Sequence, residues 1–394
     1  MAPPWQAGTT KAINGITSGM SAPASGLNVQ FRAPAMATRL QFRGVDLFAS
    51  IARTTALGGA PPQLLQALAA AAGAPISVLV DDAGQDFSVT TDVNFLADET
   101  RTNFSARLGT GIADQYMTAL GYVWRANARS IIPTGPAADF VYDGGPTNNL
   151  GAVLCEAKGS VARLVSRATV SSTATSGYRN QVSHHVGTTP STYPILHGYA
   201  VSFGTMPGST SSIVHVEQTA VAALVGGQVP GPVGPTSQAN AVIALTNFRD
   251  AFALANARTT VRMIDAVLGH HMDAFKERPS QRYGTIVLGE DEYLFGDEEP
   301  RLPPLHFANE WDPVRRPFRG LFAIHRSVVE EVHKALETVL FGGRQTLDLP
   351  VFDREFLGQK RAYGAAFPDG VTYVRPPVPG GPQALLGKVF NLGF

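Results

Sequence analysis

Apolar residues along the middle of the chain recur in two periods, which predict alternating helices and strands. Residues 108–124 carry apolar side chains every three or four positions, the spacing of a helix that buries one face. Runs rich in Val, Ile, Phe and Tyr predict strands at 129–134, 138–143, 151–158, 197–206 and 211–219. A short helix predicted at 177–186 separates the third strand from the fourth. The order of helix, three strands, helix, strand and strand predicts an α/β core.

The flanking regions show the same patterns less regularly. Helices are predicted within 36–72, over 241–275 and over 326–341, and further strands at 76–80, 87–96 and 284–295. A Gly/Pro-rich loop or linker is predicted at 226–240.

The chain has 394 residues, more than one ordinary core holds, so we expect two domains or one domain with large additions. The patterns predict a flexible arm at 1–30, an α/β addition at 31–100, a central domain at 101–295 and a C-terminal extension with one clear helix at 296–394. The arm is predicted because its Gly, Ser and Pro content is typical of disorder.

Composition narrows the class of protein. The formal net charge is zero, so no global field draws this chain to a polyanion, and any such site must be local. Cys155 is the single cysteine, which excludes an intramolecular disulfide and is consistent with a cytoplasmic location. We find no run that approaches the ~18 apolar residues of a membrane span, and expect no membrane partner.

Charged residues occupy two strands that otherwise look buried. Glu156 and Lys158 lie two positions apart, so they share one face of the strand at 151–158. Asp139 and Asp143 likewise share one face of the preceding strand. The Gly-rich segment between the two strands predicts a turn that folds them side by side. Asp139, or Asp143 as its alternative, then approaches Glu156.

Two neighbouring carboxylates repel each other unless a cation lies between them. Mg²⁺ prefers hard oxygen ligands and keeps several waters, so two carboxylates can hold it. Lys158 would face the same cavity, where an ammonium can orient a water or stabilise charge on a phosphate. The chain has only six lysines against 25 arginines, so a lysine at this position is not a routine surface cation.

The aspartate on one strand and the Glu-x-Lys on the next resemble the PD-(D/E)XK nuclease superfamily, over about residues 105–205. The resemblance implies a restriction-endonuclease-like mixed sheet flanked by helices, with additions at both ends. It implies that Asp139 and Glu156 bind Mg²⁺ or Mn²⁺, and that Lys158 assists catalysis. Ala138 stands where the family usually has proline.

Two flanking features agree with the resemblance. The family places a helix before the aspartate, often with the aromatic-Leu-Gly-aromatic pattern found here at 116–122. That helix often carries a metal-binding glutamate, but the matching position holds Thr110, and Asp114 or Gln115 would have to substitute. Members also carry a polar residue on the helix after the lysine, which implies that Gln181 positions water or phosphate.

Local charge is consistent with a polyanion. Residues 101–200 contain eight basic and four acidic residues, a surplus of four in a chain of zero net charge. Phosphate backbones require such local patches. The candidate DNA-binding residues are Arg125, Arg129, Arg163, Arg167 and Arg179.

These features together predict a metal-dependent DNA endonuclease acting in restriction, phage defence or as a toxin, alone, as a homo-oligomer or with a further protein subunit. One alternative is a nucleic-acid-binding or assembly subunit that keeps the fold without the chemistry. A second is a structural component of a particle, which the predicted arm, the Gly/Pro content and the neutral charge permit.

Overall fold

The structure, a computed structural model, has a mixed α/β fold with two six-stranded sheets and helices packed against them. It describes residues 9–26, 31, 33–55, 60–143, 151–190, 193–220, 238–269, 279–296, 321–342, 346–374 and 385–393. The predicted α/β class is confirmed.

The described residues form eight α-helices: α1 (Gly44–Thr54), α2 (Pro62–Leu79), α3 (Asp98–Ala119), α4 (Arg167–Gly177), α5 (Ala241–Leu254), α6 (Arg258–Leu268), α7 (Arg326–Gly342) and α8 (Arg354–Lys360). They also form sixteen strands: β1 (Thr10–Asn14), β2 (Thr17–Ser21), β3 (Arg39–Arg43), β4 (Trp124–Asn127), β5 (Phe140–Asp143), β6 (Ala152–Val161), β7 (Ile195–Thr205), β8 (Ile213–Thr219), β9 (Gln238–Asn240), β10 (Ser280–Leu288), β11 (Asp291–Gly296), β12 (Leu321–His325), β13 (Thr346–Asp348), β14 (Gly364–Ala366), β15 (Val371–Val374) and β16 (Leu385–Gly393).

The first sheet has the strand order β2-β8-β7-β6-β5-β4. Its elements follow one another as α3, β4, β5, β6, α4, β7 and β8, the predicted order of helix, three strands, helix, strand and strand. The second helix lies earlier than predicted: α4 ends at Gly177, and the helix predicted at 177–186 is a π-helical turn at Tyr178–Val182. β6 and β7 are parallel, because α4 carries the chain across the sheet between them. The apolar residues of α3 pack on one face of the sheet, and α4 covers the other.

A pair of glycines lets α3 lie directly on β6. A Cβ on Gly159 would stand 1.9 Å from the Ser105 carbonyl oxygen, and a Cβ on Gly109 would stand 2.5 Å from the Gly159 nitrogen. Real side-chain atoms do not approach backbone so closely, so both positions require glycine. The helix is therefore in backbone contact with β6 next to Lys158.

The second sheet has the order β14-β15-β12-β11-β10-β16. A chain of buried polar contacts joins it to the first sheet. Arg53 of α1 donates to Asp369, just before β15, at 2.5 Å, and Asn247 of α5 donates to the same carboxylate at 2.8 Å. Arg125 of β4 donates its backbone N–H to Asn247 and its guanidinium to the Arg53 carbonyl. The charged groups in this network are buried and paired, so the two sheets form one connected body.

The predicted domain boundaries are wrong at two places. Thr10–Asn14 and Thr17–Ser21, predicted as part of a flexible arm, are strands, since β3 and β8 supply their hydrogen-bond partners. β10 and β11, predicted to close the central domain at residue 295, pair instead with strands of the predicted C-terminal extension. The extension keeps its predicted helix, α7. Residues 1–8 and 27–30 of the predicted arm lie outside the described residues.

Several predicted elements also differ. The apolar run 76–80 continues the Ala-rich α2 up to Leu79, because a short apolar run does not distinguish helix from strand. The segment 87–96, predicted as a strand, forms an isolated β-bridge at Val89 and then a 3₁₀ turn. The segment 129–134, also predicted as a strand, is not one; the first strand after α3 is β4, which ends at Asn127. The long helix breaks into α5 and α6 at Asn256, which has φ of 61°. Its end at 270–275 and most of the loop at 226–240 lie outside the described residues.

α2 is, within the described part of the chain, the one helix long and apolar enough to cross a membrane by length and composition. The sequence predicts part of this helix within 36–72, but it predicts no membrane span, and Gln63, Gln66 and Ser77 interrupt the apolar run. It packs on α1 and α5 and buries Leu65 and Ile76, as a core helix does, so its composition is weak evidence for a membrane span.

Gly159→Ala will destabilise the protein by about 3 kcal/mol or more, because its Cβ would collide with rigid backbone of α3. Gly358→Ala is the matched control: it lies inside α8 with no atom within 4 Å of the added Cβ. Alanine there will stabilise by up to about 1 kcal/mol. Denaturant unfolding of both variants measures the two changes, and equal effects would contradict the backbone contact.

His197 predicts a loss of stability in acid. Burial lowers the pKa of His197 to about 3, although the neighbouring Gln218 side chain acts in the opposite direction. The unfolded chain binds a proton at this residue below about pH 6.5 and the folded chain does not, so unfolding becomes easier as pH falls. Between pH 6 and 4 this residue alone will remove about 1.4 kcal/mol per pH unit. His197→Phe keeps the stacking on Phe31 and does not titrate.

Denaturant unfolding of wild type and His197→Phe at several pH values checks this. The difference between the two unfolding free energies will change with pH below 6.5, and a constant difference would contradict the assignment.

Candidate functional site

Asp139 and Glu156 face each other across β5 and β6. The strands pair Phe140 with Cys155, which places Asp139 next to Glu156 at the end of β5. The Asp139 backbone N–H donates to Glu156 Oε2 at 3.1 Å, and Asp139 Oδ2 accepts from the backbone N–H of Ala157 at 2.9 Å. These two reciprocal hydrogen bonds hold the carboxylates of adjacent strands side by side.

Lys158 completes a charged group on the same face. Its Nζ forms an ion pair with Glu156 Oε1. Among the described residues, this oxygen has no other partner. Burial, and then the charge of Asp139, raise the pKa of Glu156 to about 7, against the opposing effect of Lys158. Burial alone would lower the pKa of Lys158, but Glu156 and then Asp139 raise it above its ordinary value. Lys158 is therefore a cation at neutral pH.

A polar pocket opens in front of this group. Its volume is about 340 Å³, and its lining includes Lys158, Gly177 and Gln181. Gly177 ends α4 directly above the acid pair, where an added Cβ would lie 3.2 Å from Cγ of Glu156. A π-helical turn, Tyr178–Val182, continues from it and carries Gln181 to the pocket. Lys158 and Gln181 thus line one pocket, and Glu156 lies buried behind its wall, next to Gly177.

The carboxylates offer hard oxygen ligands to a small divalent cation. Glu156 is fully buried, and burial and the charge of Asp139 raise its pKa in spite of Lys158. A cation beside Asp139 and Glu156 would compensate the negative charge, and Mg²⁺ needs few protein ligands because it keeps its waters. Within the described ranges no group of three or more His, Cys, Asp or Glu side chains is close enough to hold a metal. Two neighbouring carboxylates, those of Asp139 and Glu156, are what the described residues place together here.

The other proposed acids are occupied elsewhere. Asp114 is on the opposite side of the sheet, paired with Arg125 at 2.9 Å and accepting from Tyr142, so the expectation that it is a metal ligand here is wrong. Asp143 lies four residues along β5 from Asp139, about 13 Å away for an extended strand. It accepts hydrogen bonds from Tyr193 and from the Asn240 backbone, and Asp139 is the acid beside Glu156.

The predicted DNA-binding arginines divide into two groups. Arg125 is buried and ion-paired, so the prediction that it contacts nucleic acid is wrong. The other four, Arg129, Arg163, Arg167 and Arg179, are exposed. Arg179 lines a second polar pocket of about 600 Å³ on the same helix as the first, and the two pockets share Ser172, Ser176 and Asn180.

Sequence reasoning missed the residues of α4 and its polar surroundings. Ser172 and Ser176 are one helical turn apart on the exposed ridge between the two pockets, a spacing visible in the sequence once α4 is placed. It also missed His215 and Glu217 of β8, which contact each other at 3.3 Å beneath the far side of α4. The sequence did indicate that these two side chains are close, because residues two apart on a strand lie on the same face.

No protein-family model, curated protein or solved structure matches this chain. The functional inference therefore rests on the arrangement of Asp139, Glu156 and Lys158. That arrangement places two carboxylates and one cation next to a polar pocket.

Glu156→Gln will stabilise the folded protein by about 1–2 kcal/mol at pH 8 in a chelating buffer. The reason is that burial and the charge of Asp139 disfavour the ionised carboxylate by more than Lys158 favours it. Glu217→Gln is the matched control, since it lies on β8, is also buried and accepts hydrogen bonds from Ser21 and Thr175. Denaturant unfolding will show no gain for the control; a loss of stability in Glu156→Gln would contradict the prediction.

Proposed function

We propose that this protein is a metal-dependent endonuclease that hydrolyses phosphodiester bonds of DNA, with a restriction-endonuclease-like core in the cytoplasm. One observation carries the proposal: a fully buried glutamate lies beside an aspartate and is ion-paired with a lysine that lines a polar pocket. The order of elements from α3 to β8 supports the proposed core.

Asp139 and Glu156 would hold Mg²⁺ or Mn²⁺, which supplies Lewis-acid stabilisation of phosphate charge and a more acidic bound water. The pair is held by backbone hydrogen bonds, so its two carboxylates are already oriented before substrate arrives. Such preorganisation avoids the cost of assembling the ligands during the reaction.

Lys158 acts as a positive charge in this proposal and not as the base that deprotonates water. Its raised pKa keeps it protonated at neutral pH. An ammonium in the pocket stabilises the negative charge that develops on the phosphate oxygens. Gln181, half-buried in the same pocket, can donate to a phosphate oxygen or accept from the attacking water.

The reaction adds water across one ester bond. The water oxygen forms a bond to phosphorus, one P–O bond to a sugar oxygen breaks, and the water supplies the proton that the sugar oxygen receives. The products are a phosphate monoester and a sugar hydroxyl. The four exposed arginines, Arg129, Arg163, Arg167 and Arg179, would contact neighbouring backbone phosphates.

A second candidate function is a DNA-binding or assembly subunit that has lost the chemistry. The observation that favours it is the absence of a third acid among the described residues at the site. Thr110 occupies the helix position where the resembling family often has glutamate, and its hydroxyl donates to the Arg107 carbonyl inside α3. Asp114, the nearest substitute in sequence, is committed to Arg125.

Supercoiled plasmid and single-stranded DNA, incubated with Mg²⁺ or Mn²⁺, will be cut by the wild type. Glu156→Gln and Lys158→Met will each reduce the rate by at least about 100-fold, because the first removes a proposed metal ligand and the second removes the positive charge beside the reacting phosphate. Glu217→Gln, a buried acid on the same face of the same sheet, will keep the wild-type rate within a few fold. Gel quantification of nicked and linear products measures this.

No cutting by the wild type, together with salt-dependent DNA binding by the wild type, would support the subunit instead. Cutting that survives both Glu156→Gln and Lys158→Met would overturn the proposed site.

A further inference from the structure

An apolar hollow lies between α2 and α3, on the α3 side of the first sheet. Its volume is about 330 Å³. The floor is made by buried aliphatic and aromatic side chains of α1, α2 and α3: Ile51, Ala72, Ile76, Phe104 and Leu108. These residues belong to the main core on this side of the sheet, so the hollow extends that core towards solvent.

The mouth of the hollow leaves apolar surface in water. Val78 of α2 lines it with 56% of its surface exposed. α2 is 18 residues long with a mean hydropathy of 1.3, yet only part of it is buried. Contiguous apolar surface around a concave site is typical of ligand-binding pockets.

The polar groups at the hollow all come from α3 and carry a single charge. Thr100, Asn103 and Arg107 recur at helical spacing on one side of that helix. Arg107 is the one ionisable residue among the side chains that line the hollow. Its guanidinium makes one hydrogen bond among those of the described residues, to the Leu68 carbonyl at the long distance of 3.4 Å. Most N–H donors of the Arg107 guanidinium therefore have no acceptor among the described residues.

We propose that the α2–α3 hollow binds a small amphiphilic anion, an aliphatic carboxylate whose chain fills the apolar floor and whose head pairs with Arg107. At roughly 30 Å³ per water-sized group, the hollow takes a body of about ten non-hydrogen atoms. A carboxylate matches the guanidinium in charge and in the geometry of paired N–H donors. The site is on the face of the sheet opposite Glu156 and does not depend on nuclease activity.

Titration calorimetry of the full chain with octanoate, below its micellar concentration, tests the proposal. Octanoate will bind one site per chain, whereas octylammonium, of equal length and opposite charge, will bind at least tenfold more weakly. Arg107→Met keeps the aliphatic stem and will weaken octanoate at least tenfold, the loss expected for a charge-assisted hydrogen bond. Arg101→Met is the matched control, because Arg101 is also on α3 but pairs with Asp98 away from the hollow.

Val78→Trp places a large ring at the exposed mouth without disturbing the core, and will abolish octanoate binding. Octanoate binding that is absent, equal to that of octylammonium, or unchanged in Arg107→Met and Val78→Trp would overturn the proposal. Wild-type dimers in sedimentation that Val78→Trp dissociates, with no octanoate binding, would show that a second copy covers the hollow and would equally overturn it.

Discussion

The contact between α3 and β6 at Gly109 and Gly159 is the constraint on which the first sheet depends. Backbone meets backbone there, with Gly159 one residue after Lys158. The helix can approach so closely only because neither residue has a side chain. α3 buries Leu108 and Ile112 on the same side, so the core under the sheet and the position of β6 are set together. Glu156 and Lys158 project from the other face of β6, the face that α3 does not contact.

The face of the sheet that carries Glu156 is packed mainly through hydrogen bonds. α4 covers it with small and hydroxyl-bearing residues, and hydrogen bonds replace much of the apolar packing. Thr175 donates to Glu217, and Tyr178 donates to Thr219, while Gly177 leaves room for Glu156. A polar layer of this kind costs stability unless its members are paired, and it is common where a protein keeps charges for chemistry. One side of this sheet is therefore packed by apolar side chains and the other by a hydrogen-bonded polar layer.

The charged group on β6 could be predicted from sequence because strand alternation is a local rule. Glu156 and Lys158 must share a face whatever the rest of the chain does. A helix is also predicted after them, but at 177–186 and not at 167–177. The burial of Arg125 could not be predicted, because it depends on an ion pair with Asp114 and a hydrogen bond to the Arg53 carbonyl, and both partners come from other elements. β2 was missed for the same reason: its sequence, TSGMS, has little strand propensity, and only pairing with β8 makes it a strand.

The buried network around Arg53, Asn247 and Asp369 has a consequence for how this chain can be divided. A fragment that ends after the first sheet would lose Asp369 and Asn247, and would keep Arg53 without its anion. Isolating the second sheet would leave Asp369, which is fully buried, without its cation. Removing one partner of a buried ion pair is far more damaging than removing both. Neither sheet is therefore a self-sufficient module, and a recombination event that exchanged one without the other would have to replace both ends of the network at once.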